Sequence, residues 1–388
     1  MKHFPLHCFC LVVAFTVQGV LAQTSADQTN STTNETTSAA IVAHVYAATP
    51  TGVELYDTAS NGKLSLVAGS PFPGDFSDIV TNGAYFYGTD GTSIYEDTVS
   101  PSGALKRVEV FNPALHADEF ESVGALDLDH AGSALYVNIH ANGGMIYESY
   151  RISKANGSLV WLGDANNGEA SRFGVGPLHI TANDKFVFQT QNYFTWFLQG
   201  FAIGSNRELV AGIAGGTPPA APSSNVYNPY ALTADPSNHL AVAVYQQEDP
   251  PVGPTVGPTQ LAVYTTDGSG GQTTASTYEN MPDVALGWVS DMNMSPSGKL
   301  LAVAGNGATS PGLQVFHFNG ANPITHYTGV LTTAPIDQVH WDNSSHLFAI
   351  SKSAGKLFVF TVTPTSVSQA PGSPYSIDSP QRIAIRPL

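Results

Sequence analysis

The sequence predicts an all-β, single-domain fold: a seven-bladed β-propeller of four-stranded blades, closed by the C-terminal strand joining the N-terminal blade. Three observations predict it. Short apolar runs separated by polar turns recur at a period near 50 residues, and four short strands in such a repeat is the pattern of a propeller blade. The composition is rich in Gly (37) and Pro (26) and only 11% charged; Gly supplies positive φ and Pro pre-sets turn geometry, as a turn-dense β protein requires. The two chain ends carry complementary fractions of one further blade.

The clearest copy runs from Gly287 through the turn Ser295-Pro296-Ser297-Gly298, then LLAVAGNG, GLQVFHFNG and PITHYTGVL. The turn between the first and second strand of each repeat serves as a marker. It falls at Asn82-Gly83, Ala131-Gly132, Asn183-Asp184, Ser237-Asn238, Ser297-Gly298 and Ser344-Ser345. From Gly132 the steps are 52, 54, 60 and 47 residues, and the long step contains the Pro-rich stretch from Gln246 to Gln260, expected to be an exposed loop. Before the first marker, IVAHVYAAT, GVELYDT and LSLVAG give three strands with no leading strand, while SPQRIAIRPL at the C-terminus is a leading strand with no successors. Joining them makes the seventh blade and removes the sheet edge an open ring would expose. Ala68-Gly69-Ser70-Pro71-Phe72 and Pro371-Gly372-Ser373-Pro374-Tyr375 repeat at the ends of fourth strands, where Pro ends the ladder.

Residues 1–22 read as a secretory signal: a basic start at Lys2 and His3, an apolar run from Cys8 to Val17, and small residues before Gln23. That run is too short for a membrane anchor. Residues 23–40 are almost wholly polar and read as a disordered leader, leaving 41–388 for the propeller. Cys8 and Cys10 both lie in the signal, so the mature chain is expected to be free of thiol chemistry and to be secreted or periplasmic. The formal net charge is −16, or −17 once Lys2 leaves with the signal (13 basic against 30 acidic residues). Such a balance repels phosphate backbones and argues against nucleic-acid partners. Asn30, Asn34, Asn156 and Asn343 begin Asn-x-Ser/Thr sequons. The expected partners are a small molecule or an extracellular or envelope protein, with no transmembrane anchor and a monomeric chain.

Aligning the first strands on their turns puts Asp127, His179, Thr233, Asn293, His340 and Ala384 in one column. Two residues earlier stand Ala125, Pro177, Ala231, Asp291, Gln338 and Arg382; residues two apart share a strand face, so both columns should face the central channel. The intervening column, Leu126, Leu178, Leu232, Met292, Val339 and Ile383, is uniformly apolar. Asp78-Ile79-Val80 has a shorter turn and no secure place in the alignment. His179, His340 and Asp127 are the catalytic candidates, since imidazoles and a carboxylate around a narrow channel suit acid–base chemistry. Asp291, Asn293, Gln338, Arg382, Tyr230 and Thr233 are the ligand-binding candidates at the channel mouth. No cofactor is predicted; a divalent metal in the channel has no ligand spacing to support it. The run Tyr193-Phe194-Thr195-Trp196-Phe197 fits either a packed blade interface or an aromatic platform.

ALYVNIH followed by MIYESYRISKANGSL, the SPSGK-LLAVAG turn and the GSPF/GSPY pair resemble the lactonase-like, YVTN-type seven-bladed propellers (6-phosphogluconolactonase-like) over nearly the whole mature chain. The resemblance implies lactone (carboxylic-ester) hydrolysis, with a Gly-Pro-Arg-His stretch opening one first strand and Asn-Glu ending the next strand. Here the corresponding residues are Asn228-Pro229-Tyr230-Ala231 and Val244-Tyr245-Gln246-Gln247, and a Pro-His-x-His run is reduced to Pro177-Leu178-His179. The Arg, His and Glu are absent, so the family's catalytic set does not carry over. Two functions remain in view: a non-catalytic binding scaffold, or a hydrolase with a rearranged channel site.

Overall fold

A computed structural model describes residues 39–113, 120–141, 144–165, 179–193, 196–222, 225–248 and 255–388. Its strands form seven antiparallel sheets of four strands, two of them with one added strand, in the arrangement of a seven-bladed β-propeller. The first blade contains Asp78–Thr81, Tyr85–Thr89, Ile94–Val99 and Leu105–Phe111. The innermost strands of the next five are Phe120–Leu128, His179–Ile180, Asn225–Ala234, Val289–Met294 and Gln338–Trp341. The seventh blade joins Arg382–Pro387 to Ile41–Thr49, Gly52–Ala59 and Leu64–Leu66. Register runs from Ala43 opposite Pro387 to Ala48 opposite Arg382. Flanking bonds, Gln381 N–H to Ala48 O (2.7 Å) and Leu388 N–H to Val42 O (2.9 Å), extend that closure at both ends.

The repeat period is encoded at the six marker turns, each ending in a left-handed residue: Gly83, Gly132, Asp184, Asn238, Gly298 and Ser345, with φ between 52° and 89°. Gly enters that region freely and Asn or Asp with little penalty, which is why these residue types recur. Asp184 and Asn238 are used twice. Asp184 Oδ1 accepts the His130 backbone N–H at 3.0 Å, and Asn238 Oδ1 accepts that of Asn183 at 3.2 Å. These two turns thereby tie themselves to the turn one blade earlier.

The core is a ring of seven apolar clusters, one between every pair of neighbouring blades. Alternation along each strand sends one side chain towards the preceding blade and the next towards the following one. On the innermost strands the apolar column is buried as expected: Leu126, Leu232, Met292, Val339 and Ile383 are at most 2% exposed. Leu178 lies outside the described residues.

The stretch from Gln246 to Gln260 corrects the sequence reading. Rather than forming one exposed loop, most of it extends blade four: His239–Glu248 pairs with Thr255–Thr266 through Gln246 opposite Val256 and Gln247 opposite Thr255. Gln246, Thr259 and Gln260 are buried. Two features make this possible. A register shift between Val244 and Gln246, opposite Gly257 (φ 76°) and Pro258, absorbs the residues that break a regular ladder. Gln260 Oε1 accepts the Tyr227 hydroxyl at 2.5 Å and its amide reaches Asp283 at 3.0 Å, so the buried amide is satisfied. Glu248 is exposed.

Candidate functional site

The innermost strands surround an axial cavity of about 250 Å³. Six blades contribute: Asp78 from the first, Asp127 from the second, His179 from the third, Asp291 and Asn293 from the fifth, Gln338 and His340 from the sixth, and Arg382 from the seventh. The two sequence columns therefore converge on one space, apart from their blade-four members Ala231 and Thr233. Tyr230 and Thr233 do not join that lining: Thr233 is 4% exposed, and Tyr230 lies in a separate aromatic group.

Asp78 has no secure place in the strand alignment, yet it occupies the same position as Asp291. Asp78-Ile79-Val80 and Asp291-Met292-Asn293 share a carboxylate followed by a buried apolar residue, a pattern the shorter turn conceals. Both carboxylates perform one structural task. Asp78 Oδ2 accepts the Leu126 N–H at 2.8 Å, and Asp291 Oδ2 accepts the Val339 N–H at 2.9 Å. Gln338 Oε1 does the same for Ile383 at 2.7 Å. Each bond runs from one innermost strand to the apolar-column residue of the next, so these polar side chains knit the channel wall. Arg382 continues the belt, with Nε 3.4 Å from Asp78 Oδ1.

Burial sets the charge states. His179 is pushed down to about 4 by desolvation and then by the neighbouring His340. His340 is likewise pushed down to about 4, by desolvation and then by the Arg382 guanidinium. Both rings are neutral at pH 7 and half-buried against the cavity. Desolvation raises Asp291 to about 6 against the hydrogen bonds and Arg382 that favour its charge. It raises Asp78 too, with Arg382 as the largest opposing influence. Among the described residues, no group of three His, Cys, Asp or Glu side chains is placed to hold a metal ion.

The position where the resemblance calls for Arg, His and Glu is filled differently. Tyr230 sits at a bulge between the pairs Pro229–Val244 and Ala231–Ala243. Its ring stacks on Tyr245 at 4.1 Å between centroids and meets Trp288 at 4.2 Å, with Trp288 half exposed. Asn228 Nδ2 donates to Gln247 Oε1 at 2.8 Å. Desolvation pushes the Tyr230 hydroxyl up to about 12, so it keeps its proton at neutral pH. Neither a cation nor a base stands there. Of the run 193–197, Tyr193 pairs with Trp196 in the ladder, and Phe194 and Thr195 lie outside the described residues, as does Pro177.

The fold defines the class as far as architecture goes: this is a seven-bladed β-propeller, and solved propellers that carry lactonase names share it. A periplasmic gluconolactonase from Pseudomonas aeruginosa superimposes with a TM-score of 0.64 at 13% identity, over 89% of this chain and 99% of that one. A protein from Bacteroides uniformis, assigned provisionally as a 6-phosphogluconolactonase, gives 0.57 at 14% identity, over 89% and 100%. A hypothetical selenium-binding protein from Sulfolobus tokodaii gives 0.58 at 9% identity, over 89% and 93%. These likenesses carry the fold; their different names show how little of the chemistry follows from it. No protein-family description matches the chain, and no curated protein matches it by sequence. Among the described residues no helix is long and apolar enough to cross a membrane.

Proposed function

We propose that this chain is a lactonase-like propeller that binds a small, neutral, hydroxyl-rich molecule of the sugar-lactone class in its axial cavity, and does not hydrolyse it. The observation that carries the reading is the convergence of polar side chains from six blades on one space of about 250 Å³. A polar cavity of that size lies at the small end of ligand sites and suits a small molecule. Two features support binding over hydrolysis. The amides and the protonated Tyr230 fill the position of the expected catalytic set. In the axial cavity, Asp78 and Asp291 each commit an oxygen to a neighbouring blade, which lowers their availability as bases.

Hydrolysis at this same cavity is the second reading. It is favoured by the lactonase names of two structural neighbours and by the paired His179 and His340 beside Asp127. A panel of γ- and δ-lactones offered to the purified chain and to the His179→Ala/His340→Ala variant separates the two. The binding reading expects thermal stabilisation by a lactone with ring-opening at the buffer rate. Catalysed ring-opening that disappears in the folded double variant establishes the hydrolase instead.

In the same reading the first 22 residues direct export and are removed. N-terminal sequencing of chain recovered outside the cytoplasm should begin at Gln23; a chain retaining Met1 contradicts this. Light scattering should give the mass of a monomer, since ring closure leaves no blade in search of a partner strand.

A further inference from the structure

The hydrogen bonds around Gln338 fix more than the channel wall. Its Oε1 accepts the Ile383 backbone N–H at 2.7 Å, so its other terminal atom is the amide nitrogen, which can only donate. That nitrogen lies 3.0 Å from His340 Nε2. A nitrogen receiving an N–H bond must offer a lone pair, so in the neutral ring the proton resides on Nδ1. His340 Nδ1 makes no hydrogen bond among the described residues, and the His340 ring lines the cavity. Arg382 lines the same cavity; it leans on Asp78 through Nε, and its terminal nitrogens make no hydrogen bond among the described residues.

We infer that Gln338 is a positioning residue that holds His340 as an Nδ1–H donor, and that this donor and the Arg382 guanidinium together receive a neutral carbonyl oxygen of the ligand. The inference rests on the cavity being the ligand site and specifies which ligand atom is recognised. It also specifies what is refused. At pH 6.5 Asp291, raised to about 6, is mostly ionised and lines the cavity with Asp127, while burial favours the neutral form of Asp78; Arg382 is the one cationic side chain of the lining. An intact lactone carries a carbonyl and no charge, whereas its ring-opened hydroxy acid brings a further carboxylate into an acidic enclosure. The cavity therefore selects the closed ring over the open acid. His340 is ill-suited to accept a proton at Nε2, because that lone pair already receives the Gln338 amide.

The test has two arms. In the first, ¹⁵N-resolved NMR of the free, full-length protein at pH 7 reads the His340 ring. The protonated-nitrogen signature is expected on Nδ1 in the native chain; a proton on Nε2 overturns the inference whatever binds. In the second, freshly dissolved glucono-δ-lactone and sodium gluconate are titrated at pH 6.5 by calorimetry. The lactone is expected to bind at least about tenfold more tightly than gluconate, the factor that about 1.4 kcal/mol supplies. His340→Asn places an amide near the former Nδ1 and should retain most of the affinity, while His340→Ala should lose about tenfold or more. Equal binding of gluconate, or equal losses in Asn and Ala variants that remain folded, overturns the carbonyl-donor role. An Nδ1 proton with no binding of either probe leaves the Gln338 assignment standing and overturns the ligand-binding reading instead.

Discussion

Replacing Glu148 by Gln removes a buried carboxyl group whose ionisation the fold opposes. Glu148 lies on Gly144–Ile152, is 0% exposed, accepts the Tyr150 hydroxyl through Oε2, and leaves Oε1 without a hydrogen-bond partner. Desolvation raises its pKa from 4.5 to about 7, opposed by the Tyr150 hydrogen bond and assisted by the charge of Asp164. An acid with a higher pKa in the folded chain binds more protons folded than unfolded. Its favourable contribution is complete below about pH 4.5 and is lost as pH rises through about 7. Across that interval the loss is about 3 kcal/mol, at about 1.36 kcal/mol per pH unit. The substituted amide keeps an acceptor for Tyr150 and carries no charge at any pH. Urea unfolding of the native chain and Glu148→Gln should therefore give nearly equal stabilities at pH 4.5, with the variant about 3 kcal/mol more stable at pH 8.5. Glu96, also raised to about 7 by desolvation and its acidic neighbours, titrates identically in both proteins and cancels from the difference. A stability difference that stays constant from pH 4.5 to 8.5 refutes the reasoning.

Three further outcomes follow from named contacts. Ser345→Gly should stabilise the protein by about 1 kcal/mol in urea unfolding, because an exposed Ser at φ 67° carries a left-handed strain that Gly does not; a loss of stability contradicts this. Asp291→Asn should cost about 1–3 kcal/mol, since Oδ1 and Oδ2 accept the Met292 and Val339 N–H groups and an amide can serve only one of them; an unchanged urea midpoint would refute the belt. Deleting residues 382–388 removes the strand that pairs along Ile41–Thr49, and hydrogen exchange should then show loss of protection in that strand well before the central blades.

The ring itself was legible because its signals are local. A turn ending in Gly, Asn or Asp announces a left-handed residue, and the apolar column on the innermost strands announces burial on one face. Blade seven was legible from its two incomplete halves. The contents of the channel were legible in part, since alternation alone places Asp127, His179, Asn293 and His340 on one side of their strands. What those side chains do was hidden, because their partners lie in the next blade. Asp78 bonds to Leu126 and Asp291 to Val339, each 48 residues on, and Gln338 to Ile383, 45 residues on. The signal existed: an acceptor side chain one repeat before a backbone N–H of the apolar column. Composition misled at residues 246–260, where Gly and Pro suggested a loop. Pro258 sits at the one register shift that tolerates it, and the nearby Gln260 side chain finds buried partners in Tyr227 and Asp283.

The most direct test of the account is calorimetric titration of the mature chain with glucono-δ-lactone while a pH-stat follows ring-opening in the same solution. One saturable site per chain is expected, lost in His179→Ala/His340→Ala, with ring-opening no faster than in buffer. Turnover above the buffer rate that vanishes in the folded double variant would contradict it and make the axial cavity an active site.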